Sequence, residues 1–319
     1  MFSIKKILVA TDFSENAAVA YNPAQKLANH YGAKLDFIHV IPTMQYFHEN
    51  MHGLGVPLDM EKDLYPKIQV ESYRKIKKLM DDYLKPENKG EGIVEIAAKP
   101  SREIARFAEE GGYDLILLAA NGRHKSESLK GSITEKVIRY SGVPVLSTDQ
   151  SNFDEIKNIL VPTDGSWTSM KALPLAISLA LTFEAGITLF HVQELYGTAM
   201  GSAQKNPLKS ADENIRDIIY TELESFFTDS WDRVELRKGE GFESQFLYRD
   251  EASSTTINVQ TVIEKGISAH YAITEYAEAY ADMVVMATHG RSGLSHLLLG
   301  STAEKVARHV KLPVLTVKP

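Results

Sequence analysis

One segment of the chain carries residue types that suit phosphate binding, and a second places a carboxylate after a predicted strand. The first, THGRSGLSHLLLGST (288–302), precedes a helical pattern, AEKVARHV. Glycine lets a ligand approach the backbone closely, and the start of a helix presents N–H donors and the positive end of its dipole. The second, ILVPTDGS (159–166), places Asp164 after an apolar run typical of a buried strand. Together they predict an anion site beside a strand end, provided that the fold brings them together.

The serine at the start of the final helix also admits a purely structural interpretation. Ser301 and Glu304 have the spacing of a capping box, in which each side chain bonds the other residue's backbone N–H. The choice between a cap and a phosphate ligand therefore depends on where the fold places this helix.

The chain contains its main motifs twice. IKKILVATDFS (4–14) recurs as IKNILVPTDGS (156–166), and 15 of the 37 paired positions that begin there are identical without a gap. YDLILLAANGR (113–123) likewise matches ADMVVMATHGR (281–291). We therefore predict two tandem domains, residues 1–149 and 155–319, joined by the polar segment DQSNFDE.

Apolar strand patterns alternate with helical patterns in each half, which predicts a doubly wound, mostly parallel α/β sheet. We expect five strands with flanking helices in each domain. Ser14 and Ser166 are expected to cap the first helices, and Pro23 and Pro174 to kink them. Each half has a long insert with an amphipathic helix, and in the second half LYRDEASS (247–254) is expected to be a solvated loop.

In such a sheet the ligand crevice lies beyond the carboxyl ends of the strands, at the point where the strand order reverses. The ends of strands one, two and four meet there. We therefore expect Asp164, Val192 and the Gly290 loop to lie together in one domain. Asp12 and Val40 should likewise meet the glycine loop of the other domain.

These motifs resemble the universal stress protein family, specifically a tandem member. The resemblance rests on Gly-x2-Gly-x9-Gly-Ser/Thr after strand four, ILVPTDGS on strand one and HV ending strand two, with alanine in place of the first glycine. It implies adenine-nucleotide-hydrolase-like domains related by pseudo-two-fold symmetry. It also implies ATP or AMP as the ligand, with Mg²⁺ as an option beside ATP. Carried over to the second domain, the implied site is Asp164, Val192, Ala287, Gly290, Gly300, Ser301 and Thr302.

The first domain departs further from the pattern, and the resemblance leaves its nucleotide binding open. Only eight residues, RHKSESLK, separate its loop glycines, and Glu127 brings a negative charge towards the expected phosphate position. The corresponding site residues are Asp12, Val40, Ala119, Gly122, Gly131, Ser132 and Ile133.

Composition restricts the remaining functions. The net charge of −7 argues against nucleic acid or an anionic membrane as a partner. The chain has no cysteine, and no apolar window reaches the ~18 to 20 residues that a membrane helix needs, so we expect a cytoplasmic protein. His48 and His52 have a metal-like spacing but no third ligand, and we assign no metal site.

The expected function is binding of adenine nucleotide by a stress-response sensor or regulator, with no catalytic residue assigned. A slow ATPase or phosphotransferase, and a nucleotide-free scaffold that acts through its inserts, remain as alternatives. A Walker-type loop and a nucleophile elbow are both missing from the sequence. In the resembled family the last strands pair across a dimer interface. The resemblance thus implies pairing of the two domains within the chain and leaves a homodimer open.

Overall fold

The computed structural model describes residues 3–43, 60–120, 132–151, 153–195, 209–250, 253–290 and 299–319. The chain divides into two compact units, Ile4–Asn152 and Phe153–Pro319. No helix within those ranges is long and apolar enough to cross a membrane.

The N-terminal unit is an α/β unit with a parallel sheet in the order β3-β2-β1-β4-β5. Its strands are β1 (Lys6–Ala10), β2 (Lys34–Pro42), β3 (Lys89–Ala97), β4 (Leu115–Ala119) and β5 (Val145–Thr148). Its α-helices are α1 (Glu15–Ala18), α2 (Tyr21–Tyr31), α3 (Tyr65–Tyr83), α4 (Pro100–Glu110) and α5 (Ser132–Tyr140). A π-helical turn, Met60–Leu64, leads into α3. The strand order reverses between β1 and β4, as in a doubly wound sheet.

The C-terminal unit repeats this arrangement and extends it. Its strands are β6 (Asn158–Pro162), β7 (Gly186–Glu194), β8 (Val234–Lys238), β9 (Glu243–Arg249), β10 (Ser254–Gly266), β11 (Met283–Ala287) and β12 (Val314–Val317). Its helices are α6 (Trp167–Met170), α7 (Leu173–Phe183), α8 (Ala211–Ser230), α9 (Ala269–Tyr280) and α10 (Ser301–His309). The parallel part has the order β12-β11-β6-β7-β10, which matches the N-terminal unit.

The insert of the C-terminal unit corrects the expected five strands and the expected loop. Strands β9 and β8 continue the sheet beyond β10 in antiparallel pairing. The segment expected to be a solvated loop contributes Leu247 and Tyr248 to β9, and both are buried. The prediction was wrong because the acidic residues after this strand suggested a solvated loop. The apolar residues within ESQFLYR suit a strand.

The first helix of each unit is broken rather than kinked, which corrects the expected effect of the prolines. Pro23 and Pro174 lie in the first turns of α2 and α7, directly after a short preceding helix. Proline is tolerated there because the first N–H groups of a helix have no intrahelical acceptor. The expected caps are confirmed: Ser14 accepts from the N–H of Ala17, and Ser166 from that of Ser169.

The central strands form the interior of both sheets. Every residue of β4 and of β11 is buried, as are the last four of β1 and of β6. Such continuous burial explains the uninterrupted apolar runs in the sequence, because helices cover both faces of a parallel sheet. The residues that follow these strands are thereby held at a rigid edge.

Candidate functional site

In the C-terminal unit, the carboxylate of Asp164 is held in one orientation just beyond β6. Its Oδ1 accepts hydrogen bonds from the backbone N–H of Ser166 at 3.0 Å and from the Ser166 hydroxyl at 2.5 Å. The Ser166 hydroxyl oxygen also accepts from the N–H of Ser169 at 3.2 Å, which caps α6. Because one serine serves both groups, the cap and the carboxylate orientation depend on each other.

Two further contacts fix the end of the strand. The ring of His191 donates its Nδ1–H to the carbonyl oxygen of Thr163 at 2.9 Å. The Thr163 hydroxyl lies 2.8 Å from that of Ser169 and accepts from the N–H of Gly165 at 3.0 Å. His191 therefore joins the tips of β6 and β7.

Gly290 lies directly against Asp164. A Cβ on Gly290 would stand 2.2 Å from Oδ2 and 3.0 Å from Cγ of Asp164, so no larger residue fits without movement. The sequence suggested glycine here for the sake of a ligand. The structure adds a reason within the protein, since Gly290 packs on the Asp164 carboxylate at the tip of β6.

The second motif glycine closes the same loop. The N–H of Gly300 donates to the carbonyl oxygen of Thr288 at 2.8 Å, and a Cβ on Gly300 would lie 2.7 Å from that oxygen. The Thr288 N–H donates to Val317, which ties this segment to β12. The loop therefore begins and ends at one place, next to the start of α10.

The start of α10 corrects the capping-box interpretation. The N-cap residue is Gly300 and makes no side-chain cap bond, so Ser301 is the first helical residue instead of the cap. Ser301 is exposed and Thr302 is half-buried. Because a first helical turn has no intrahelical acceptors for its N–H groups, the backbone of these two residues and both hydroxyls can serve an anion.

The other two site residues lie at the neighbouring strand ends. Val192 follows His191 near the end of β7, and the β6–β7 register pairs Pro162 with Phe190, so Asp164 and Val192 lie at the same level. Ala287 is the buried last residue of β11 and pairs with Val317. The structure therefore brings the predicted residues of this unit to one edge of the sheet.

The N-terminal unit repeats the strand-tip geometry. Asp12 Oδ1 accepts from the N–H and the hydroxyl of Ser14 at 3.0 and 2.5 Å, and His39 donates Nδ1–H to Thr11 at 2.8 Å. Val40 and Ala119 are buried at the ends of β2 and β4.

Tyr21 takes the part that Ser169 has in the other unit. Its hydroxyl lies 2.6 Å from that of Thr11. Burial raises the pKa of Tyr21 from 10.0 to about 12, although the Thr11 hydrogen bond opposes the shift.

The helix start of the N-terminal unit differs from that of α10. The Thr134 hydroxyl donates to the carbonyl oxygen of Ala119 at 2.9 Å, a bond that Ala303 cannot make at the matching position. Ile133, in the place of Thr302, is 42% exposed and offers no hydroxyl. Gly122 and Gly131, and the side chain of Ser132, lie outside the described residues.

Two serines have a role that the sequence did not predict. Ser166 orients Asp164, and Ser14 orients Asp12. The sequence predicted only that both serines cap helices. The spacing Asp-x-Ser, present in both halves, carried the signal, because an aspartate commonly accepts from the backbone N–H two residues on. Within the described ranges no three His, Asp or Glu side chains are grouped to hold a metal ion, and His48 and His52 fall outside those ranges.

The fold and this edge define a tandem α/β protein with two doubly wound units, each with an aspartate and a histidine at the same strand tips. The profile of the universal stress protein family matches residues 3–148 and again 155–318. The chain belongs to the universal stress protein family.

Individual relatives agree with this assignment. Universal stress protein MJ0531 of Methanocaldococcus jannaschii is 32% identical over 51% of this chain and 82% of its own length. Universal stress protein Slr1230 of Synechocystis is 25% identical over 99% of this chain and 100% of its own. A crystal structure of a universal stress protein from Archaeoglobus fulgidus covers 99% of this chain and 97% of its own, with 22% identity and a TM-score of 0.62. The last similarity concerns the fold.

Proposed function

We propose that the chain is a stress-response protein that binds adenine nucleotide, ATP or AMP, at the sheet edge of its C-terminal unit. The observation that carries the proposal is the contact of Gly290 with Asp164, together with the return of Gly300 to Thr288. These contacts support a site in which Gly290 and Gly300 lie beside a strand-tip carboxylate and the start of α10. Groups already held in position bind more tightly because less ordering is required.

Each site residue has a part that its chemistry supports. Asp164 and the backbone at Val192 would contact the base. Ala287 and Gly290 would line the ribose, where a methyl group adds little bulk. Gly300, Ser301 and Thr302 would bind the phosphates through the N–H groups and hydroxyls of the first turn of α10. With ATP, a Mg²⁺ ion would accompany the phosphates.

The N-terminal unit is proposed as the weaker site or no site. Its Asp12 and Val40 are placed as in the other unit, but Ile133 supplies an exposed apolar side chain where Thr302 supplies a hydroxyl. We also propose domain bounds of 1–149 and 155–319. Each domain then contains its own aspartate, valine and alanine at the ends of the central strands.

Binding rather than turnover is proposed. Asp164 Oδ1 already accepts two hydrogen bonds from Ser166, and His191 Nδ1 is engaged with Thr163. Both contacts suit positioning. Proton transfer needs a group that reaches the substrate with a pKa matched to the task.

Equilibrium titration of the full chain with a fluorescent ATP analogue tests the proposal. We expect saturable binding that unlabelled ATP displaces, and weaker binding after Ser301→Ala. Ser132→Ala, at the same position in the other unit, serves as the matched control and should change the affinity less. Equal losses in both variants, or no saturable binding, would refute the assignment to the C-terminal unit. Phosphate release that exceeds background and disappears in Asp164→Ala would show an ATPase instead.

A further inference from the structure

Phe13, in the loop after β1, has a left-handed backbone conformation with φ of 60°. The residue at the same position in the C-terminal unit is Gly165, with φ of 74°. A side chain in this region costs about 1–2 kcal/mol relative to the right-handed conformation. The N-terminal unit therefore keeps a large aromatic ring at a position that favours glycine.

The ring of Phe13 is placed between a histidine and a lysine. Its centroid lies 4.4 Å from that of His39, and the Lys75 ammonium group lies 5.9 Å from it. Only half-buried, the ring forms one wall of a pocket between the loop and α3. The fold thus presents an aromatic surface to solvent beside a cation.

The pocket has a volume of about 380 Å³, within the range of small-molecule sites. Its lining combines apolar and charged side chains: Phe13, Lys75, Lys78, Leu79, Asp82 and Tyr83. Tyr83 is held in place by Tyr21, with ring centroids 5.2 Å apart. One wall is therefore apolar and largely aromatic, and α3 supplies the charges.

The two lysines supply a cationic rim. Lys75 and Lys78 are both exposed and share one face of α3, because residues three apart are neighbours on a helix. Among the described residues, no carboxylate lies within salt-bridge distance of the ammonium group of Lys75 or of Lys78. The pocket lining thus holds two cations and one carboxylate, Asp82, and this excess of positive charge favours an anion.

The C-terminal unit has a different aromatic contact next to this position. There Trp167, at the start of α6, packs on Phe226 of α8 with ring centroids 5.0 Å apart. In the N-terminal unit the position of Trp167 is held by Glu15, which is exposed. The repeat therefore offers a comparison within one chain, in which the open pocket belongs to the unit with the phenylalanine.

We infer that this pocket, lined by Phe13, Lys75, Lys78 and Tyr83, binds a small anion that carries an aromatic ring. The ring packs against Phe13 and Tyr83, and the anionic group lies between the two ammonium groups. The inference does not depend on nucleotide binding at Asp164.

Titration of the full chain with 2-naphthoate, followed by its fluorescence anisotropy, tests the inference. We expect saturable binding that weakens with salt, about three- to tenfold weaker binding for Phe13→Gly, and a two- to fivefold loss for each of Lys75→Ala and Lys78→Ala. Lys67→Ala, exposed on α3 outside the pocket, is the control and should bind as the parent does. Neutral 2-naphthamide should bind less tightly than 2-naphthoate.

Phe13→Gly keeps the test independent of folding, because glycine relieves the left-handed conformation and is the residue of the other unit. Its thermal unfolding should show a stable protein. Absence of saturable 2-naphthoate binding, equal losses in Lys67→Ala and the pocket variants, or displacement of the probe by ATP would each overturn the inference. Loss of ATP binding at the C-terminal site, with 2-naphthoate binding retained, would leave it standing.

Discussion

Substitution of Gly290 by alanine tests how closely the loop and the strand tip depend on each other. The added Cβ would lie 2.2 Å from Asp164 Oδ2, whereas ordinary contacts begin at 3.4 Å. The half-buried carboxylate must therefore retreat by about 1 Å or more. Retreat breaks or lengthens the two bonds from Ser166, and hydrogen bonds to charged groups contribute about 1.5–3 kcal/mol each.

Allowing for partial relaxation, we expect a loss of about 2 kcal/mol in the free energy of unfolding. If nucleotide binds against the same carboxylate, a loss of about 2 kcal/mol in the free energy of binding weakens the affinity about 30-fold. Denaturant unfolding measures the first quantity, and titration with a fluorescent ATP analogue measures the second. Gly186→Ala is the control, because its Cβ would meet its nearest neighbour at an ordinary 3.5 Å.

A double-mutant cycle shows whether the clash is the cause. In an Asp164→Ala background, Gly290→Ala should cost less than about 0.5 kcal/mol, because the clashing oxygen is gone. The reasoning would be refuted if Gly290→Ala cost the same in both backgrounds, or if it were as harmless as Gly186→Ala.

Three further predictions follow from individual contacts. Gly300→Ala should destabilise the chain by about 1–3 kcal/mol, since its Cβ would lie 2.7 Å from a backbone oxygen; denaturant unfolding checks this. Glu184 ends α7 with φ of 52°, where the other unit has Gly32, so Glu184→Gly should raise stability by about 1 kcal/mol and Gly32→Ala should lower it; thermal unfolding of both variants decides. The raised pKa of Tyr21 means that the folded state keeps its phenol proton longer than the unfolded state does. Its contribution is complete below about pH 10 and is lost as pH rises towards about 12; unfolding at pH 9 to 11 should show this decline, and Tyr21→Phe should reduce it.

Much of the fold could be predicted because the buried strands of a parallel sheet have continuous apolar sequences. The runs that contain Leu115–Ala119 and Met283–Ala287 are examples, and their repetition also revealed the two units. The hairpin of β8 and β9 was missed because an edge extension is half-exposed and its sequence is rich in charge. Such strands depend on their neighbours for burial, which a local pattern does not report.

For the site, residue positions could be predicted but the contacts between them could not. The motif indicated Gly290 and Asp164 separately, and only the structure brings the Gly290 Cα against the carboxylate. Similarly, the spacing of Ser301 and Glu304 fitted a capping box with Ser301 as the N-cap. In the structure Gly300 is the N-cap, and Ser301 is the first residue of the helix. The left-handed conformation of Phe13 depends on the turn after β1, although Gly165 in the repeat hinted at it.

Photolabelling with 8-azido-ATP, followed by identification of the labelled peptides, decides whether nucleotide binds at the sheet edge of the C-terminal unit. We expect labelling of peptides that contain Asp164 or Val192, suppressed by excess ATP and reduced in Gly290→Ala. Labelling confined to the N-terminal unit, or labelling that ATP does not suppress, would contradict this expectation.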